Sequence, residues 1–123
     1  KIKLALETNL NCLGLQKLFS KLNDRNIFIV YDTGNRLKSG SLQYDEIIKL
    51  KKKIAHVHLK DKNYKGDNVV FGTGNVNLKL IFKALKEIQY KGSFTFETNR
   101  GSNPLMTMIN NKKLVLKILQ QNE

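Results

Sequence analysis

Ile27-Phe28-Ile29-Val30-Tyr31-Asp32-Thr33-Gly34-Asn35 is the stretch on which the fold of this chain turns. Residues Ile27 to Tyr31 are apolar without alternation, the pattern of a parallel strand covered on both faces. An aspartate closes the run just where the chain turns. Three other segments share the layout: Ile2 to Glu7, Ile54 to Leu59, and Ser93 to Glu97. Helical stretches separate them. Leu15, Leu18, Phe19 and Leu22 recur at the spacing of one buried helix face, and Tyr44, Ile47 and Ile48 mark a second helix. A third helix, capped by Asn77, carries Leu78, Ile81, Phe82, Leu85 and Ile88 on its inner side. The last starts between Gly101 and Pro104 and is expected to turn Met108, Ile109, Leu116 and Leu119 toward the core, with Gln120 to Glu123 frayed. Asn23 to Asn26 is a turn cluster, Gly34 to Ser41 a loop, and Lys60 to Val76 a long loop containing Gly66, Gly72 and Gly74.

Strands alternating with helices over short connections predict right-handed βαβ units and a parallel α/β sheet. A (β/α)₈ barrel takes about 250 residues, so residues 1–123 are expected to form one half of such a barrel, as four βα units. The chain opens at Lys1 rather than a methionine and runs directly into a strand, which favours a piece of something longer. Alternatively, two half-barrels pair as a homo-oligomer. A half-barrel alone, with its outer strand edges bare, is expected to be weakly stable and poorly active.

Composition narrows the class. No apolar run approaches the roughly 18 residues of a membrane span, so no membrane partner is expected. Cys12 is the single cysteine, which excludes an internal disulfide, fits a reducing, cytoplasmic setting and reads as a small buried filler. The net charge of +12 is almost all lysine, with arginine only at positions 25, 36 and 100. Those lysines are scattered, and Lys51-Lys52-Lys53 closes a helix, where cations suit the dipole. The excess reads as compositional drift in a chain rich in Lys, Asn and Ile, not as a nucleic-acid face.

The four strands end in Leu6-Glu7-Thr8, Tyr31-Asp32-Thr33, Val57-His58-Leu59 and Phe96-Glu97-Thr98. In a parallel barrel all C-terminal strand ends meet at one mouth, where active sites of this fold sit. Three carboxylates and an imidazole converging there would repel one another unless a cation stood among them. Each residue alone has a plainer reading: Glu7 or Glu97 as a helix cap, Asp32 as a turn organiser, His58 as a hydrogen-bonded core residue rivalled by His56 of the same parity. Recurrence across four consecutive strands carries the functional reading. Gly72-Thr73-Gly74 lacks the third glycine of a dinucleotide loop and is expected to form a tight turn, so no nucleotide cofactor is indicated.

Tyr31-Asp32-Thr33-Gly34-Asn35, His56-Val57-His58-Leu59-Lys60-Asp61 and Phe71-Gly72-Thr73-Gly74-Asn75-Val76-Asn77 resemble the motifs of the xylose isomerase-like superfamily of TIM barrels. Within it they look closest to the sugar-phosphate isomerase/epimerase branch with its ketose 3-epimerases and L-ribulose-5-phosphate 3-epimerase-like enzymes. Ile81 to Ile88 followed by Tyr90 to Glu97 fits that family's last helix–strand step, which makes this the C-terminal half of the barrel. The resemblance implies that Glu7, Asp32, His58 and Glu97 are metal ligands, with His56 behind His58. It also implies one divalent ion, Mn²⁺, Mg²⁺ or Co²⁺ by the oxygen-rich donor set, with Zn²⁺ possible. It further implies isomerase or epimerase activity on a ketose or ketose phosphate. There Glu7 and Glu97 would remove and return a proton through an enediolate, on a carbonyl polarised by the metal. Asn35 stands where many relatives carry a histidine and is expected to contact substrate, as are Lys60 and Arg100, the latter suited to a phosphate near a helix N-terminus.

Two other activities occur in the superfamily. An abasic-site endonuclease needs a three-zinc cluster and more histidines than His56 and His58, so a nucleic-acid substrate is not expected. A lyase, such as a dehydratase of a keto-inositol or keto-acid, could use the same metal site and stays open.

Overall fold

The computed structural model describes residues 2–38 and 42–121. The end of the loop from Gly34 to Ser41 and the terminal Asn122 and Glu123 lie outside the described residues. Four strands, β1 (Leu4–Leu6), β2 (Ile27–Asp32), β3 (Ile54–Leu59) and β4 (Ser93–Phe96), pair in parallel in chain order. They alternate with α1 (Cys12–Leu22), α2 (Gln43–Leu50), α3 (Leu78–Glu87) and α4 (Pro104–Gln121), and single 3₁₀ turns follow β2 (Asn35–Lys38) and α2 (Lys51–Lys53). This is the expected half of a (β/α)₈ barrel. Among the described residues no helix is long and apolar enough to cross a membrane.

Local chemistry sets the helix ends. The Asn11 side chain accepts from Gly14 N at 2.9 Å to open α1, and Asn77 accepts from Leu80 N at 3.1 Å to open α3, as its sequence predicted. Asn23 ends α1 in the left-handed region at φ 46°, which asparagine tolerates better than most side chains.

The core lies between the sheet and the helices. Ile29, Tyr31, Val57 and Leu59 from the strands meet Leu15, Ile47, Ile81, Phe82 and Leu85 from the helices, all buried. Cys12 is buried among them. Leu22, expected on the inner face of α1, is exposed because the helix ends beyond its neighbours. The larger correction concerns α4. Met108, Ile109, Leu116 and Leu119 are exposed by 37–49%, and the buried residues are Asn111, Val115 and Ile118. Those three share one stripe, and Asn111 is satisfied there by donating to Thr98 Oγ1 at 3.0 Å. An apolar tally misassigned the face because a polar residue with a partner occupies its centre.

The loop after β3 is organised by buried Asp61. Its Oδ2 accepts from Gly72 N at 2.9 Å and Gly74 N at 2.8 Å, and Oδ1 from Val76 N at 3.2 Å. A Cβ at position 74 would stand 2.2 Å from Asp61 Oδ1, so the backbone reaches the carboxylate only as glycine. The expected tight turn is thus a carboxylate cradle. Asp61→Ala strands these donors, and each unsatisfied buried group costs about 1–3 kcal/mol. Val76 N is the donor left buried, so urea denaturation is expected to show a loss of about 1–3 kcal/mol, and a loss below about 1 kcal/mol would refute this role.

Candidate metal centre

A one-residue irregularity in the ladder decides which side chains face the mouth. Ile29 pairs with Ile54, but Val30 pairs with His56, so Ala55 is an extra residue in β3. Side chains alternate along a strand, and one extra residue exchanges the faces beyond it. Ile54 and Val57 therefore both point to the helices, while His56 and His58 share a face with Val30 and Asp32. The register Asp32–His58–Thr95 then runs straight across the sheet. Glu97, two residues past Thr95, continues the same face, its N–H held by Leu59 O at 3.0 Å. Glu7 follows Leu6 at the end of β1 on that side.

One ligand atom from each of Glu7, Asp32, His58 and Glu97 lies within 4.8 Å of all the others. His58 Nδ1 is 3.0 Å from Glu97 Oε2 and 3.6 Å from Glu7 Oε2. Asp32 is buried, and its two oxygens have separate duties. Oδ1 accepts from Asn35 N at 2.7 Å, the turn-organising role open to it from sequence. Oδ2 is fully buried, has no hydrogen bond, and has as its ionic partner Lys60 Nζ at 3.1 Å. Neither Glu7 nor Glu97 caps a helix; α1 and α4 are opened by Asn11 and Asn103 instead. Three carboxylate oxygens and one imidazole nitrogen, with a buried oxygen lacking a hydrogen bond, form a donor set that fits one divalent cation.

The three expected substrate contacts separate. Asn35 Nδ2 donates to Glu7 Oε1 at 3.3 Å, so it borders the cluster. Lys60 is 8% exposed, and its ammonium stands between Asp32 Oδ2 and Glu97 Oε1, the latter at 3.0 Å. Arg100 is exposed, and its side chain makes no hydrogen bond or ion pair among the described residues. His56 lies behind His58 with ring centroids 5.2 Å apart, and Ser93 Oγ and Thr95 Oγ1 engage its two nitrogens at 2.9 Å each. Burial, and then the neighbouring His58, lower its pKa from the ordinary histidine value.

Sequence reasoning missed the brace behind the cluster. Buried Arg36 pairs with buried Glu46 through Nε and Nη2, and also holds Leu10 O at 3.0 Å. Tyr31 Oη donates to Glu46 Oε2 at 3.2 Å. The brace ties the chain after Glu7, the turn bearing Asn35 and the helix α2 together. The sequence carried little signal of it: Arg36 lies in the expected loop, and only Glu46 sits beside a core-facing residue, Ile47.

For Glu97, burial alone would raise the carboxyl pKa, but the hydrogen bond from Lys60 and the Lys60 and His58 charges outweigh it and lower it. For Lys60, burial opposes the charge, yet Glu97 and Asp32 raise its pKa. The carboxyl therefore contributes stability above its ordinary pKa that is lost as pH falls through the lowered value. The ammonium contributes stability below its ordinary pKa that is lost as pH rises through the raised value. Thermal melts of metal-free protein are expected to decline outside this window, and Glu97→Gln to flatten the acid limb. An unchanged acid limb in that variant would contradict the pairing.

Comparison with known proteins adds ancestry. A family model described as xylose isomerase-like TIM barrel matches residues 2–118. An inosose dehydratase of Clostridium botulinum (strain Eklund 17B / Type B) is 29% identical over 122 residues, covering 82% of this chain and 41% of that protein. An L-ribulose 3-epimerase of Methylomonas sp. (strain DH-1) is 31% identical over 94 residues, covering 75% and 32%. A solved L-ribulose 3-epimerase superposes with a TM-score of 0.83 at 20% identity, over 98% of this chain and 48% of its own. The chain thus spans at most about two-fifths of the length of these curated relatives.

Proposed function

The chain belongs to the xylose isomerase-like TIM barrel family, and we propose that it carries the metal-binding half of an enzyme that removes a proton next to a ketose carbonyl. We read it as the C-terminal half of the barrel, with the remaining strands supplied from outside these residues. Its span of about two-fifths of the curated relatives supports that reading. The single observation that carries the function is the convergence of four donors from four separate strands within 4.8 Å.

Glu7, Asp32, His58 and Glu97 are the proposed ligands. A divalent ion held there would supply Lewis-acid polarisation of a carbonyl oxygen, with Mn²⁺, Mg²⁺ or Co²⁺ suited to the oxygen-rich set and Zn²⁺ also compatible. The protein's own groups do the rest. Glu7 and Glu97 stand on the two margins of the sheet with His58 between them, an arrangement suited to removing a proton from one face of a carbon and returning one from the other. Asn35, bonded to Glu7, is suited to hold that carboxylate or a sugar hydroxyl. The buried Lys60 ammonium offers a donor to substrate oxygen developing negative charge. A phosphate contact from Arg100 remains part of the proposal for a phosphorylated substrate.

A second reading has its own support, because inosose dehydratases are among the relatives. Dehydration shares the first step. Both reactions take a proton from the carbon next to a carbonyl; an epimerase returns it to the opposite face, while a dehydratase expels a hydroxyl from the neighbouring carbon. We favour epimerisation or isomerisation of an open-chain ketose or ketose phosphate, since the two flanking glutamates supply both an acceptor and a donor. With the barrel completed by its remaining strands, in deuterium oxide with Mn²⁺, the protein is expected to return the epimerised ketose carrying one solvent deuterium. Glu7→Gln and Glu97→Gln are each expected to lower kcat by about 10²–10⁴-fold. Loss of water from a keto-inositol, without exchange into ketoses, would replace this reading with the dehydratase.

A further inference from the structure

Lys60 is more elaborately mounted than a loop lysine at the rim of a site. Its backbone is fixed to the end of β2 through one hydroxyl: Thr33 Oγ1 donates to Lys60 O at 2.6 Å and accepts from Lys60 N at 2.9 Å. Thr33 is itself wholly buried. The aliphatic stem then crosses Gly34. A Cβ built on Gly34 would lie 2.7 Å from Lys60 Cγ and 3.1 Å from both Cβ and Cδ, too close for the stem to keep its course. Gly34 is not among the positive-φ glycines, so its backbone does not demand glycine; the lysine stem does. At the far end the ammonium reaches Asp32 Oδ2 at 3.1 Å and Glu97 Oε1 at 3.0 Å. Asp32, Thr33 and Gly34 are thus consecutive residues that respectively receive the charge, hold the backbone and make room for the stem.

From this geometry we propose that Lys60 is a built-in counter-cation of the carboxylate cluster, mounted by Thr33 and Gly34 to compete with a divalent ion for Asp32 and Glu97. The inference rests on the metal-site reading above. In the metal-free protein the ammonium neutralises carboxylates that would otherwise repel across the mouth. A divalent ion binding those same oxygens must displace it, so Lys60 weakens ion binding while keeping the empty cluster assembled. In the empty site Lys60 acts through Asp32 and Glu97; once the ion displaces it, the ammonium is free to meet substrate oxygen.

Calorimetric titration with Mn²⁺ of the metal-free protein, Lys60→Met and Gly34→Ala tests this. Both variants are expected to bind Mn²⁺ tighter by about tenfold, the scale of vacating a partly screened ion pair. Gly34→Ala does so with the lysine still present, because the new methyl group displaces its stem, and the double variant is expected to gain nothing further. Metal-free Lys60→Met is expected to melt lower than the parent, and Mn²⁺ to raise its melting temperature by more. General damage to the fold would loosen ion binding, so tightening separates the two. Parental binding with unchanged or weaker affinity in Lys60→Met overturns the counter-cation while leaving the metal site standing. Absence of binding in the parent and in both variants overturns the metal site and this inference together; binding only in the variants supports both.

Discussion

Like charge held at short range is the constraint that organises this half-barrel. Parallel pairing brings the C-terminal ends of the strands side by side, and three of the four residues there are carboxylates within 4.8 Å of one another and of His58. Such a group survives only with positive charge inserted or with solvent screening. Glu7 and Glu97 keep 44% and 48% of their side chains exposed and use the second route, Glu97 with the Lys60 ammonium besides. Asp32 cannot, being 2% exposed. Its position explains the concentration of support around it: a backbone donor from Asn35, an ammonium from Lys60, and an Arg36–Glu46–Tyr31 brace beneath the turn that follows.

The sheet's two faces divide the work. The helix side holds Ile29, Tyr31, Val57 and Leu59 and supplies the burial that stabilises the fold. The opposite side, with His56, His58, Ser93 and Thr95, is polar and only partly covered, as the lining of a barrel mouth must be if it is to receive a hydrophilic ligand. What keeps the two from mixing is the extra residue at Ala55. Without it Asp32 would stand opposite Val57, and both histidines would turn into the apolar core. A backbone irregularity of one residue is therefore as decisive for the site as any ligand.

Much of this was legible beforehand. The strand–helix alternation, the parallel pairing and the helix cap at Asn77 follow from apolar runs and local capping chemistry, which depend on neighbours in sequence. The four acidic and imidazole residues stood out because they recur at equivalent points of a repeated unit. The parts that stayed hidden depend on contacts between distant segments. The α4 face was misjudged because Asn111 is buried through Thr98, and Asp61 looked like one more loop aspartate until its three backbone donors were assembled around it. Lys60 stood out only as an expected substrate contact, and its pairing with Asp32 and Glu97 stayed hidden for the same reason. Its special status comes from Thr33 and Gly34 in the turn after β2.

The relatives include an L-ribulose 3-epimerase and inosose dehydratases, and the proton abstraction proposed for this cluster is a step that both chemistries share. Proton removal beside a carbonyl is common to the two reactions, and under the proposed function these strand ends would contribute acceptors at the margins, a donor set between them and a cation at Lys60 to hold the charge balance. Divergence enters afterwards, when the electron pair either takes a proton back or expels a hydroxyl. That choice depends on which group faces the leaving oxygen, and both chemistries occur among relatives of which this chain spans about two-fifths or less. Discrimination between the two outcomes is thus expected to come from groups that approach the substrate from the other side of the mouth.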